Sequence, residues 1–273
     1  MELSGKNVVV TGAAGGIGAA LARRFHAAGA NVVSADRDSA RIHKAVDELL
    51  RDATNPARAF AVVADVGSEE GNASLIREAR ALLGSIDLFF ANAGVGMGAL
   101  LENTDESTWN TVMNINFHSH RWAAKHLLEE WLDRGDGYFC STASAAGLLS
   151  QIGSATYSVS KHAAVAFAEW LAITYGDRGI KVSCLCPQGV NTDMLNPPSG
   201  TESLDTRGLD AVKASGNVLE PDDVAETVYQ HIVAEKFLIL PHAEVAMYEE
   251  RKVADRDRWI AGMQRLQSRI INS

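Results

Sequence analysis

Seven short runs rich in Val, Ile, Phe and Ala recur along the chain, and a longer amphipathic stretch separates nearly every pair. The runs cover residues 7–11, 31–35, 59–64, 86–91, 137–142, 181–186 and 237–240. Most are continuously apolar rather than alternating, the pattern of strands buried on both faces. The stretches between them, 16–28, 39–53, 69–83, 105–132, 154–175 and 222–235, carry helical periodicity. Alternation of this kind demands right-handed crossovers between parallel strands. The expected fold class is α/β, a doubly wound parallel sheet of about seven strands flanked by helices. No repeat, charge block or linker divides the 273 residues, so one domain is expected. Its body spans residues 1–241, and residues 242–273 form a helical extension. Met247, Trp259, Met263 and Leu266 recur there among Arg, Glu and Asp, so the extension packs on the domain or on a neighbouring subunit.

Charge and cysteine content narrow the function classes. With 34 Asp and Glu against 25 Lys and Arg, the net charge is -9. That balance argues against nucleic acid or an anionic membrane as the main partner. No apolar run is long enough to span a bilayer, and the opening MELSGKNVVVTG lacks the basic and apolar regions of a secretory leader. Only three cysteines occur, with Cys184 and Cys186 two apart on one strand, where packing is the ordinary role. A sparse, odd count indicates a reducing compartment, and the cytoplasm is the expected location.

The first strand runs directly into Thr11-Gly12-Ala13-Ala14-Gly15-Gly16-Ile17-Gly18, and a helix follows. Gly12 permits a sharp turn off the strand. Gly16 and Gly18 bare the backbone at the helix start, so its free amides and positive dipole end can face a pyrophosphate. The second strand leads to Asp36, a carboxylate suited to the two hydroxyls of an adenosine ribose and repulsive to a 2′-phosphate. These features predict dinucleotide binding, with NAD favoured over NADP. Arg37 is the reservation, since it can stack on adenine or reach a 2′-phosphate.

Tyr157 and Lys161 lie four residues apart at the start of a helical stretch and so share a face. A phenol is a poor base near neutrality, its reference pKa being about 10. A nearby ammonium and a nicotinamide cation both favour the phenolate. Such a pair can move a proton while a cofactor moves a hydride.

Taken together, Thr11-Gly12-x-x-x-Gly16-x-Gly18, Asn92-Ala93-Gly94, Ser144 thirteen residues before Tyr157, Lys161, and Asn116 in Asn114-Ile115-Asn116-Phe117 resemble the short-chain dehydrogenase/reductase family. The resemblance runs in order from about Leu3 to Pro241. It implies a Rossmann-type sheet, NAD(P), and a catalytic set of Asn116, Ser144, Tyr157 and Lys161. Tyr157 is then the acid/base, and Lys161 lowers its pKa and binds the nicotinamide ribose. Ser144 polarises the reacting oxygen, and Asn116 anchors a water linking Lys161 to solvent. The resemblance also places Asp65 and Val66 beside adenine, Gly94 beside ribose and Ile17 on the pyrophosphate. Asn92 steadies the central sheet, and Pro187, Val190 and Thr192 hold the carboxamide. Gln188 departs from the family pattern, which usually has Gly at that position, and this brings Gln188 toward the substrate.

Three stretches are expected to line the substrate pocket: 95–101, 145–154 and the long Pro- and Gly-bearing connection 191–217, which otherwise is a surface insertion. Met97, Leu148, Gln151, Gln188 and Met194 are the substrate candidates. The first two stretches hold no charged side chain. A carboxylate or phosphate thus lacks an obvious partner, and an uncharged, fairly apolar secondary alcohol or ketone is expected. The alternatives are an NADP-dependent carbonyl reductase and a dinucleotide sensor without catalysis. A sensor would be expected to lack Tyr157 or Lys161. A sugar-nucleotide epimerase is disfavoured by the glycine spacing. His118, His120 and His162 have no ligand partners at metal spacing, so no metal is expected. The family implies a homo-oligomer, a tetramer or dimer, built on the helices at 105–132 and 154–175.

Overall fold

The computed structural model of the protein describes residues 1–196, 212 and 216–271. Most of the 191–217 connection therefore lies outside the described residues. The seven strands are β1 (Asn7–Thr11), β2 (Asn31–Asp36), β3 (Ala59–Val63), β4 (Leu88–Ala91), β5 (Gly137–Thr142), β6 (Ile180–Leu185) and β7 (Leu238–Ile239). They form one wholly parallel sheet in the order β3-β2-β1-β4-β5-β6-β7. The order reverses between β1 and β4, which places a crevice beyond their carboxyl ends.

Alternation of side chains divides the core into two layers. Val8 and Val10 of β1, Val32, Leu88 and Phe90 face one side. They pack on Leu21 and Phe25 of α1 (Gly16–Ala27), Ile42 of α2 (Ser39–Arg51) and Val228 of α8 (Pro221–Val233). Val9, Val33, Phe89 and Phe139 face the other side. There they meet α3 (Glu69–Leu83), α5 (Ser119–Arg134) and α7 (Ala155–Tyr175) through Leu75, Leu127, Trp131 and Ala168. Phe89 and Phe139, paired in register, stack at 6.1 Å between ring centroids. Continuous apolar strands thus arise because both faces are covered.

The stretch expected as one helix over 105–132 is interrupted. α4 (Glu106–Met113) passes into a wide π turn at Asn114–His118 before α5 begins. An extra residue enters the helix there, and Asn116 sits in its middle. Trp131, fully buried on α5, donates from Nε1 to the Ile86 carbonyl at 2.8 Å.

The extension consists of α9 (Glu244–Ala254) and α10 (Arg256–Ile271). It folds back on α6, a single helical turn at Ala146–Leu149. The buried Lys252 ammonium donates to the Leu148 carbonyl and fixes this docking. The extension thus packs on the chain's own domain.

Candidate active site

A cavity of about 310 Å³ opens beyond the carboxyl edge of the sheet, where the chain leaves β1, β2, β4, β5 and β6. Gly12, Gly16, Ile17, Gly18, Asp36, Asn92, Gly94, Pro187, Val190 and Thr192 line it, together with Tyr157 and Lys161. Asn92 joins the strand ends. Its Nδ2 donates to the Thr11 carbonyl at 3.0 Å, and its Oδ1 accepts from Thr142 Oγ1 at 3.1 Å.

The glycine turn is shaped as a cradle. Gly12 and Gly16 have φ of +65° and +52°. A Cβ on Gly18 would stand 2.1 Å from the Gly12 carbonyl oxygen, and one on Gly16 would stand 3.0 Å from Thr192 Cγ2. No side chain caps the N-terminus of α1 and no acid lies in its first turn. Its amides and dipole are therefore available to a pyrophosphate. The residues present fit a dinucleotide.

Two family-implied positions and one residue-based one lie elsewhere. Asp65 caps its own turn by accepting from the Gly67 amide at 2.9 Å, and the Val66 carbonyl accepts from Asn72. Neither Asp65 nor Val66 lines the cavity. Arg37 is exposed and also outside the lining, because alternation at the end of β2 turns it away from the side that Asp36 faces. The guanidinium that does line the cleft is that of Arg41. Asp38, the N-cap of α2, accepts from the Arg41 amide at 3.0 Å, and the Arg41 guanidinium pairs with Asp193 at 2.9 Å.

The four catalytic candidates converge. Ser154 caps α7 by accepting from the Tyr157 amide at 3.3 Å, which starts the helix so that Tyr157 and Lys161 share its inner face. Lys161 is buried, and its Nζ donates to the Thr142 carbonyl at 2.9 Å and lies 5.7 Å from the Tyr157 ring centroid. Burial lowers its pKa to about 8. Burial also pushes the Tyr157 phenol up from its ordinary value, and the Ser144 hydroxyl acts in the opposite direction. Ser144 Oγ accepts from the Ala146 amide at 3.1 Å and donates to the Pro187 carbonyl at 3.4 Å. Asn116 clamps Val95, accepting from its amide at 2.8 Å and donating to its carbonyl at 3.0 Å, and it reaches Ser160 Oγ at 3.2 Å. A Cβ at Gly94 would sit 3.3 Å from Asn116 Oδ1 and 3.4 Å from Lys161 Nζ, so the Gly94 backbone passes close to both groups.

Of the substrate candidates, Gln151, Gln188 and Met194 line the cleft, and Met194 Sδ lies 4.0 Å from the Tyr157 hydroxyl. Met97 and Leu148 do not line it. The Met97 carbonyl accepts from Thr156 Oγ1, and Leu148 is buried beneath Lys252. A second cavity of about 350 Å³ adjoins the first, and Gln151, Gln188 and Val212 line both. Its outer wall comes from the extension: Tyr248, Arg251, Trp259, Met263 and Leu266. Reading three stretches of sequence as the pocket left out this wall and the cation it carries.

A family model described as short chain dehydrogenase matches residues 6–202. The chain belongs to the short-chain dehydrogenase/reductase family. It is 33% identical over 249 residues to 1-deoxy-11-beta-hydroxypentalenate dehydrogenase of Streptomyces exfoliatus, covering 89% of this chain and 86% of that protein. It is 32% identical to meso-2,3-butanediol dehydrogenase of Serratia marcescens, covering 82% of this chain and 86% of the relative. Among solved structures, a short chain dehydrogenase/reductase from Burkholderia phymatum in complex with NAD superposes with a TM-score of 0.83 at 29% identity. That match covers 94% of this chain and 96% of the other. The protein is an oxidoreductase of this family, a dehydrogenase acting on hydroxyl or ketone groups of small molecules. α9 and α10 lie beyond the stretch matched by the family model.

Proposed function

We propose that the enzyme interconverts a secondary alcohol and a ketone with NAD, and that Tyr157 holds and releases the proton of the reacting oxygen. The observation that carries this reading is the placement of the Tyr157 hydroxyl in the cleft that also contains Lys161 and the glycine cradle. Bound NAD supplies the hydride acceptor and a positive ring. Tyr157 accepts the carbinol proton at Oη, Ser144 orients the oxygen, and Lys161 favours the phenolate electrostatically once the cofactor's own charge adds to its own. Asn116 holds the backbone at Val95 against α7 through Ser160, which keeps Lys161 in place.

NAD is favoured by Asp36 in the cleft lining, with Oδ2 accepting from the Ala14 amide at 3.3 Å. Arg41 supports the second reading, an NADP-dependent carbonyl reductase, because it is a cation in the same lining. Its pairing with Asp193 weakens that reading. Near Tyr157 the walls are Met194, Leu195 and Ala143, so the reacting end of the substrate is uncharged and apolar. The relatives' names include both a hydroxylated acid and a neutral diol, so kinship leaves the far end of the substrate undecided.

We further propose a homo-oligomer, supported by Val159, Trp170 and Ile173 exposed on α7. Three buried free cysteines support a reducing, cytoplasmic setting. The deciding experiment is Tyr157→Phe, assayed with neutral secondary alcohols and NAD at the reduced-nicotinamide absorbance. Turnover should fall by about 10²–10⁴ with NAD affinity nearly intact. Retained turnover would refute the assignment.

A further inference from the structure

The second cavity has walls of Leu149, Ile152, Tyr248 and Trp259, and among the described residues its only charged lining group is Arg251 at the rim. We propose that Arg251 takes a carboxylate carried by the substrate at the end remote from the carbinol, so that the natural substrate is an apolar hydroxy acid. This inference rests on the function proposed above and extends it to the substrate's far end. Three observations support it.

The two cavities adjoin, with Gln151, Gln188 and Val212 in the wall of both. A substrate reacting at Tyr157 and too large for the inner cleft therefore runs toward the extension.

Arg251 has no ion pair among the described residues, although Glu249, Glu250 and Asp255 are close in sequence. Asp255 is spent on capping α10, its Oδ1 accepting from the Arg258 amide at 2.9 Å. Beyond Arg251, Arg258 and Arg265 line the adjoining outer hollow, where Asp255 is the one acid among the described residues. A cluster of guanidinium groups on a chain of net charge -9 concentrates anions at this mouth.

The helix turn that carries Arg251 is also held in place. The neighbouring Lys252 is buried and bonded to Leu148, which fixes this turn of α9 over α6. A planar guanidinium on a fixed helix beside apolar walls suits a carboxylate better than it suits a neutral group.

The test uses 4-hydroxycyclohexyl alkanoates of increasing chain length, each beside its primary amide, oxidised by the full-length enzyme with NAD. At one chain length the acid should exceed its amide in kcat/KM by roughly ten- to hundredfold. In Arg251→Gln that preference should vanish through a raised KM with kcat unchanged, as expected when a uniform binding contact is lost. Arg251→Lys should retain part of it. Equal use of acids and amides by the wild type, or an acid preference that survives Arg251→Gln, overturns the inference and leaves the oxidoreductase reading intact. Failure to oxidise any acid or amide overturns the inference too, and turnover of neutral secondary alcohols in the same assay shows whether the proposed function stands without it.

Discussion

The imidazole of His242 grips the peptide at Gln188, its Nδ1 accepting from the Gln188 amide at 3.2 Å while Nε2 donates to the Gly189 carbonyl at 3.0 Å. The two bonds form together only on a neutral ring with its proton on Nε2. His242 is buried, and the segment it holds contributes Pro187, Gln188 and Val190 to the cleft. The start of the extension therefore fixes the backbone at Gln188, in the wall of the cleft.

His242→Phe keeps the ring volume and removes both bonds. The Gln188 amide is left without its partner, at a cost of about 1–3 kcal/mol. The cleft wall shifts with it, and kcat/KM should fall about ten- to hundredfold. Thermal melts and steady-state kinetics on one preparation check both expectations, and unchanged kinetics would remove the positioning role.

Cofactor choice should turn on Asp36. Asp36→Ser removes the carboxylate that repels a 2′-phosphate and leaves Arg41 at the cleft. The ratio of kcat/KM for NAD over NADP should drop by at least about tenfold, the equivalent of roughly 1.4 kcal/mol. Arg41→Ala in the same background should reverse part of the gain. An unmoved ratio would locate the discrimination elsewhere.

Acid stability should carry the signature of His120. Its ring is fully buried, and Nδ1 shares a hydrogen bond with Ser141 Oγ at 2.8 Å. Burial, aided by the charge of Lys161, holds its pKa down to about 3, against 6.5 for the free side chain. Between these values the unfolded chain binds a proton that the native protein does not. This contribution to stability is complete above pH 6.5 and is lost as the pH falls toward 3, at a slope of at most about 1.4 kcal/mol per pH unit. Urea denaturation at pH 7.5, 6.5, 5.5 and 4.5 should show a steeper loss for the wild type than for His120→Gln. Parallel curves would exclude the role.

Lys252→Met should loosen the extension. The bond to Leu148 is lost, while the cleft around Tyr157 stays closed by Met194 and Leu195. KM should rise several-fold for bulky alcohols that reach Tyr248 and Trp259, and it should stay level for small ones such as 2-butanol. Equal changes for both classes would show that the extension does not bound the substrate.

The parts of this site that are legible in the sequence are those made by neighbours along the chain. The glycine turn follows from backbone geometry over a few residues, and Tyr157 and Lys161 are joined by one helical turn. The parallel, doubly wound sheet follows from strand–helix alternation, whose short crossovers leave few topologies. The rest comes from contacts between distant segments. Arg41 meets Asp193 across the cleft mouth, and His242 meets Gln188 from the far end of the fold. Neither pair leaves a periodic trace. Met97 and Leu148 fall in the expected stretches, but the hydrogen bonds they accept there are at their backbone carbonyls. The π turn is invisible for a related reason: an inserted residue leaves the helical residues on either side with ordinary composition.

That turn ties the length of the chain to the site. Deleting one residue from 114–118 would close it into regular helix, and because the wide turn takes up its extra residue locally, α4 and α5 would keep their relative phase. Trp131 would stay beneath Ile86 while Asn116 lost its place against Val95, so the packing layer would survive and the catalytic cleft would not. At this point a gap in the polypeptide strikes the site and spares the fold.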